Sequence, residues 1–192
     1  MNPLSLPDDL RPADGRFGSG PSKVRPDALA ALAAAGSGYL GTSHRRDGVR
    51  SVVRRIRDGI GSLYGLPDGY EVVLGNGGAT AFWDAAVFGL IERRSQHYVF
   101  GEFSGKFASA VSDAPHLEAP IVVESTPGSR PAPAPGHARA DAFALIHNET
   151  STGVSMDVFR PASRGLVLVD GTSAAGAMPV NPGDFDAYYF SP

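Results

Sequence analysis

No cysteine occurs in the 192 residues, so disulfides and thiolate metal sites are excluded, and no metal site of any kind is expected. No apolar run approaches the ~20 residues that span a bilayer. Neither charge sign dominates. The net charge is −3 and 19% of residues are charged, which gives no reason to expect nucleic acid or an anionic membrane surface as partner. The opening stretch MNPLSLPDDLRPADG lacks the basic start and apolar segment of a signal peptide, so a cytoplasmic location is the expectation. In that compartment the glycosylation pattern Asn148-Glu149-Thr150 would never meet its enzyme. Two nucleotide signatures also fail. In Gly75-Asn76-Gly77-Gly78-Ala79-Thr80, Thr80 stands where a dinucleotide fingerprint needs its third glycine. GEFSGKF is one residue short of a phosphate loop, and Phe107 replaces the magnesium-binding Ser or Thr.

What is present points to a packed α/β protein. The chain is 42% hydrophobic, which favours a core over disorder, and its 24 glycines and 16 prolines imply many turns. RPDALAALAAAG reads as a short helix with Pro26 near its start and Gly36 at its end. Val49, Val52, Val53, Ile56, Ile60, Leu63 and Tyr64 recur at spacings of three and four and predict a second, amphipathic helix. Arg50, Arg54 and Arg57 fall on its other side and read as a solvated face. From residue 71 the pattern alternates. Strands are predicted at 71–74, 97–100, 120–124, 142–147, 166–170 and 187–190, with helices over ATAFWDAAVFGLI and SGKFASAVSD between the first three. The Pro- and Ala-rich stretch 125–140 reads as a surface connection. Several strands are apolar at every position, as in a parallel sheet buried on both faces. The expected fold is a three-layer α/β/α arrangement around a mainly parallel sheet with right-handed crossovers.

In such sheets ligands collect beyond the carboxyl ends of the strands. The glycine turn before Ala79 and Thr80 lets backbone approach a ligand, and free N–H groups at the helix start attract an anion such as phosphate; a tight loop with no ligand is the alternative. Asp170 ends an apolar run. It is either a turn or helix-cap acid or a carboxylate held against a cationic ligand atom. Phe103 follows a strand and is either core or a ring that stacks on a planar group. A phosphate, a flat ring and a ring cation together describe pyridoxal phosphate (PLP), whose pyridine nitrogen a carboxylate keeps protonated.

The motifs RFGSGPSKVRP, GTSHR, LPDGYEVVLGNGGATAFWDAA, GEFSGKFASAV, HNETSTGV, VDGTSAAGAMPV and DAYYFSP, in this order from Arg16 to Pro192, resemble the phosphoserine aminotransferase family in its actinobacterial form. The resemblance implies a homodimeric PLP enzyme of class V, of which 16–192 is the N-terminal part of the large PLP-binding domain, incomplete at its C-terminus, and 1–15 an N-terminal extension. It implies reversible amino transfer between O-phospho-L-serine and 2-oxoglutarate, giving 3-phosphooxypyruvate and glutamate, in serine biosynthesis and, for a related substrate of the family, vitamin B6 biosynthesis. By motif, Ala79 and Thr80 would bind the cofactor phosphate, Phe103 would stack on its ring, Thr150 would bond its 3-hydroxyl side, and Asp170 would pair with its nitrogen. Ser19, His44 and Arg45 would contact substrate. Neither Lys23 nor Lys106 stands where the family has its Schiff-base lysine, expected just after Pro192, so the chain alone is expected to be inactive. DGTSAAG replaces the commoner DATSGAG, with no change in chemistry expected from Gly171 or Ala174. A non-catalytic PLP-binding or scaffold module is the alternative; a nucleotide-binding domain is disfavoured by the failed signatures.

Overall fold

A computed structural model describes residues 6–16 and 20–192. Five parallel strands form one sheet: β1 (Ser95–Val99), β2 (Ile121–Glu124), β3 (Ala142–Ile146), β6 (Leu166–Asp170) and β7 (Ala187–Tyr189), in the order β2-β1-β3-β6-β7. A two-residue ribbon pairs β4 (Asn148–Glu149) with β5 (Val154–Ser155) antiparallel. Strand order reverses between β1 and β3: the chain moves outward to β2, then returns to the other side of β1. A crevice at the carboxyl edge is expected at such a reversal.

Alternation along the strands decides what each face holds. Ala142, Ala144, Leu168 and Tyr189 face two helices, α3 (Thr80–Gly89) and α4 (Glu102–Ser112). The two small alanines leave room for Trp83 of α3 and Phe107 of α4, whose rings stack 5.7 Å apart. Phe143, Leu145, Val167 and Val169 face the other way, onto Tyr98, Phe100, Met156 and Phe185. Each fully buried side chain of this size contributes about 1.5–3 kcal/mol. On that second face the C-terminal end of α2 (Asp47–Tyr64) brings Tyr64 to Tyr188 and Phe190. Helices thus flank both faces of a mainly parallel sheet, as expected.

The predicted helices at 26–36 and 49–64 appear as α1 (Pro26–Ala35) and α2. The strand expected at 71–74 does not form: 71–75 is irregular, with Val73 83% and Leu74 48% exposed. Its composition suits a strand, but a strand exists through its ladder. The sheet edge β7 pairs with β6 alone among the described residues, and nothing bonds to 71–74 as a ladder partner. The β4–β5 ribbon has no signal in the sequence, because two-residue strands carry no readable period. No helix among the described residues is long and apolar enough to cross a membrane.

Candidate cofactor site

Three loops meet at the carboxyl edge where strand order reverses. After β1 the chain runs through Gly101 into α4, after β3 into the ribbon at Asn148, and after β6 into a turn at Gly171. A cavity of about 10 Å³ between them is lined by Phe103, Ser104, Ile146, Asp170 and Tyr189, among others. Its volume is that of a single water. Phe103, at 37% exposure, is its most exposed wall residue; Asp170 is 6% exposed.

Asp170 lies in register between Ile146 and Tyr189, on the helix-covered face with Leu168. Its Oδ1 accepts the Thr172 N–H at 2.9 Å. No cation pairs with it among the described residues. Burial raises its pKa, the nearby Glu149 charge adds to the rise, and bonds from Thr172 and Tyr189 oppose it. A buried carboxylate with no counter-charge is costly, and a cation placed beside it relieves that cost. The Tyr189 hydroxyl accepts the Trp83 Nε1 proton at 3.0 Å, and its ring stacks on Phe82 at 4.0 Å. Burial, then the Asp170 charge, pushes the Tyr189 pKa well above its usual value, so Tyr189 stays a neutral donor toward Asp170.

The ribbon supplies a second carboxylate. Glu149 has no exposed surface and accepts from Ser104 N (2.9 Å), Ser104 Oγ (2.7 Å), Ser151 Oγ (2.7 Å), Phe103 N (3.3 Å) and Ser151 N (3.3 Å). Burial alone would raise its pKa, but these bonds outweigh it and hold the carboxyl below its usual range. Glycine is required at 101 because a Cβ there would collide with the Glu149 side chain. Thr150 Oγ1 donates to Ser173 Oγ at 2.7 Å, and Ser173 donates to the Asn148 carbonyl at 2.9 Å. The NET and DGTS loops are therefore bonded directly. Gly171 also matters: a Cβ there would run into the Tyr188 ring, so the glycine variant of this motif makes room for that ring.

The residues predicted from sequence fall into two groups. Phe103 and Asp170 line one cavity, and Thr150 sits one loop away, bonded to the turn that follows Asp170. Ala79 and Thr80 stand at the start of α3, as expected, after a turn in which Gly77 has φ +100°. His44 instead faces an open groove of about 790 Å³ with Arg50, Arg54, Arg57 and Tyr70. Arg45 is exposed, its N–H bonded to Ser43 Oγ at 3.2 Å. Neither His44 nor Arg45 lines the cavity at the strand ends. Ser19 lies outside the described residues. Lys106 pairs with Glu102 at 2.8 Å and lies 5.7 Å from the Phe103 ring centre; Lys23 donates to the Asp14 carbonyl at 2.8 Å. Neither lysine lines the cavity. Sequence reasoning missed Glu149, Ser104 and Ser173. Glu149 carried a usable signal, an acid just beyond an apolar run, as at Asp170.

No family model matches the chain. A protein of Nocardioides sp. strain JS614 named phosphoserine aminotransferase is 58% identical over 193 residues, covering 98% of this chain and 51% of its own. A protein of Mycobacterium sp. strain KMS, provisionally given the same name, is 57% identical over 194 residues, 100% of this chain and 52% of its own. The crystal structure of a phosphoserine aminotransferase from Cytophaga hutchinsonii superposes with a TM-score of 0.83 at 30% identity, over 90% of this chain and 50% of that one. The PLP-bound enzyme of Trichomonas vaginalis shares the fold, with a TM-score of 0.70 at 18% identity over 91% of this chain and 55% of its own. The chain thus spans about half the length of the curated relatives it matches. With that identity over nearly its whole length, and with the same sheet and flanking helices, the chain is similar to phosphoserine aminotransferases over about half of their length.

Proposed function

We propose that the full-length protein containing this chain is a PLP-dependent aminotransferase that exchanges the amino group between O-phospho-L-serine and 2-oxoglutarate. One observation carries the reading. Asp170 is a buried carboxylate without a cationic partner among the described residues, in the same cavity wall as a partly exposed aromatic ring. PLP supplies a protonated ring that withdraws electrons from the carbon losing its proton. Asp170 would hold the proton on the pyridine nitrogen of bound PLP, keeping the ring able to withdraw electrons. Phe103 bears on the ring face. The N–H groups of Ala79 and Thr80 at the start of α3 receive the phosphate. Thr150 keeps lone pairs for the 3-hydroxyl side while its proton goes to Ser173. Arg45 and His44, with Ser19, take the substrate's anionic groups; the planar fork of arginine suits carboxylate or phosphate. In this reading residues 16–192 form part of the large domain, the enzyme is a homodimer, and its place is in serine synthesis.

The test is glutamate formation by the full-length, PLP-loaded protein given phosphoserine and 2-oxoglutarate. Turnover with phosphoserine well above that with other amino acids is expected. A folded, PLP-binding protein that makes no glutamate would overturn the reading. A second reading, a chain that holds PLP without turning substrate over, is favoured by the position of Lys23 and Lys106 away from the cavity. The same assay on a protein ending at Pro192 separates the two.

A further inference from the structure

The buried Glu149 carboxylate has no part in that chemistry, yet it is the most heavily bonded acid of the site. Its partners are unusual for a helix cap. A first turn normally receives its cap from the residue just before it. Here the residue just before α4 is Gly101, with no side chain to offer, and the acceptor for the Ser104 amide comes from Glu149, 45 residues beyond Ser104 and past β3. Glu149 therefore takes the Phe103 and Ser104 amides of α4 on one side and the Ser151 hydroxyl on the other. Ser151 Oγ in turn accepts the Glu102 amide at 2.9 Å. Two loops on either side of the strand-order reversal are stitched at three successive α4 amides. A negative group at this end of the helix is also favoured by its dipole. Gly101 is part of the same device, since any side chain there would occupy the Glu149 position.

We propose that Glu149 is a positioning residue that sets the first turn of α4 so that the Phe103 ring stands at the cavity it shares with Asp170. This rests on the reading of the strand ends around that cavity, on the side where Phe103 is exposed, as the PLP site. One of the bonded amides is that of Phe103 itself, so a shift of the turn swings the ring.

The test uses the full-length protein with Glu149→Gln, Phe103→Ala and both together. Glutamine keeps the size but loses the charge and turns one acceptor into a donor facing other donors. Amide hydrogen exchange in the cofactor-free protein reports the turn, and the PLP dissociation constant reports the ring. In Glu149→Gln the Phe103 and Ser104 amides should exchange about ten-fold faster while those of β3 stay unchanged, and PLP should bind about ten-fold more weakly. On the Phe103→Ala background the same change should cost less than about three-fold, because the ring it served is gone. Unchanged exchange at 103 and 104 overturns the proposal. So does unchanged PLP binding, or an equal loss on both backgrounds. If Phe103→Ala alone leaves PLP binding intact, the stacking reading itself has failed, and the positioning proposal falls with it. Should Glu149→Gln not yield folded protein, Ser104→Ala, which removes the 2.7 Å hydroxyl bond, replaces it with the same readouts and a loss of about three-fold.

Discussion

In the sheet and its two covering helices, Ala86, Val111, Phe143, Val167 and Val169 have no exposed surface. In α1 and α2 no residue is buried, and Leu29, Leu32, Val53, Ile56 and Leu63 lie open. Both regions have ordinary helix and strand sequences. They differ in whether the apolar face meets another face. The parallel sheet sandwiches its side chains between α3–α4 and the opposite cluster, whereas α2 touches the sheet mainly through Tyr64 at its last turn. The functional consequence is direct. Phe103, Glu149, Thr150 and Asp170 hang from the packed region and are already assembled. His44 and Arg45 hang from the open one and are not.

The strongest way to break this contrast is to attack the packed side. Phe143→Ala should cost about 3–5 kcal/mol of stability in urea unfolding, because Gly136 and Gly165 sit against the ring and leave it no room to be replaced by collapse. A loss below about 1 kcal/mol would show that the sheet is no better packed than α2. Next in size is Asp170→Ala in the full-length protein. We expect kcat to fall about 10²–10³-fold, since the carboxylate acts mainly as the ring takes up charge. Steady-state assay with an unchanged kcat would mean that the acid is placed wrongly.

Arg45→Lys probes the open region. Losing one charge-assisted bond of the guanidinium fork should weaken phosphoserine binding by about 1.5–3 kcal/mol while PLP content stays constant. Lost PLP with intact substrate constants would move Arg45 to the cofactor site and join the two regions functionally.

A pH experiment sharpens the contrast between the two buried carboxylates. The folded pKa of Asp170 is raised above its ordinary 3.8, so its contribution to stability is full below that value and is lost as pH rises through the folded pKa. Asp170→Asn should therefore stabilise the cofactor-free protein by about 1–3 kcal/mol at pH 7, with the gain vanishing near pH 4. Glu149, whose pKa is lowered, works in the opposite sense: its contribution is present above 4.5 and is lost as pH falls through the folded value. Urea titrations across pH 4–8 that give Asp170→Asn no advantage would remove the uncompensated charge on which the cofactor reading rests. The smallest effect is expected in α2. Leu63, 67% exposed, should tolerate Ser within about 0.5 kcal/mol of stability.

Legibility divides along the same line. The strand at 166–170 is readable to the residue, since continuous apolar strands need no partner information to be noticed. Asp170 and Phe103 stand out because each sits at or just beyond the carboxyl end of a readable strand. The segment 71–74 misleads, because Val72, Val73 and Leu74 have strand composition and lack a ladder. Glu149 stands just beyond an apolar run as Asp170 does, but its five bonds, which reach residues up to 46 positions away, have no mark in the sequence.

Composition and period by themselves determined the α/β class, the buried parallel strands, the amphipathic α2 and the order of the loops that carry chemistry. These are local properties: a 3.6 or a two-residue repeat is visible in any window long enough to hold it. Only the tertiary structure decided which loops meet. It put Asp170, Phe103 and Glu149 at one reversal of strand order, left His44 on an open groove and Arg45 exposed, and raised one carboxyl's pKa while lowering the other's. Burial and bonding partners are set by chain segments far apart in sequence, and no local pattern encodes them.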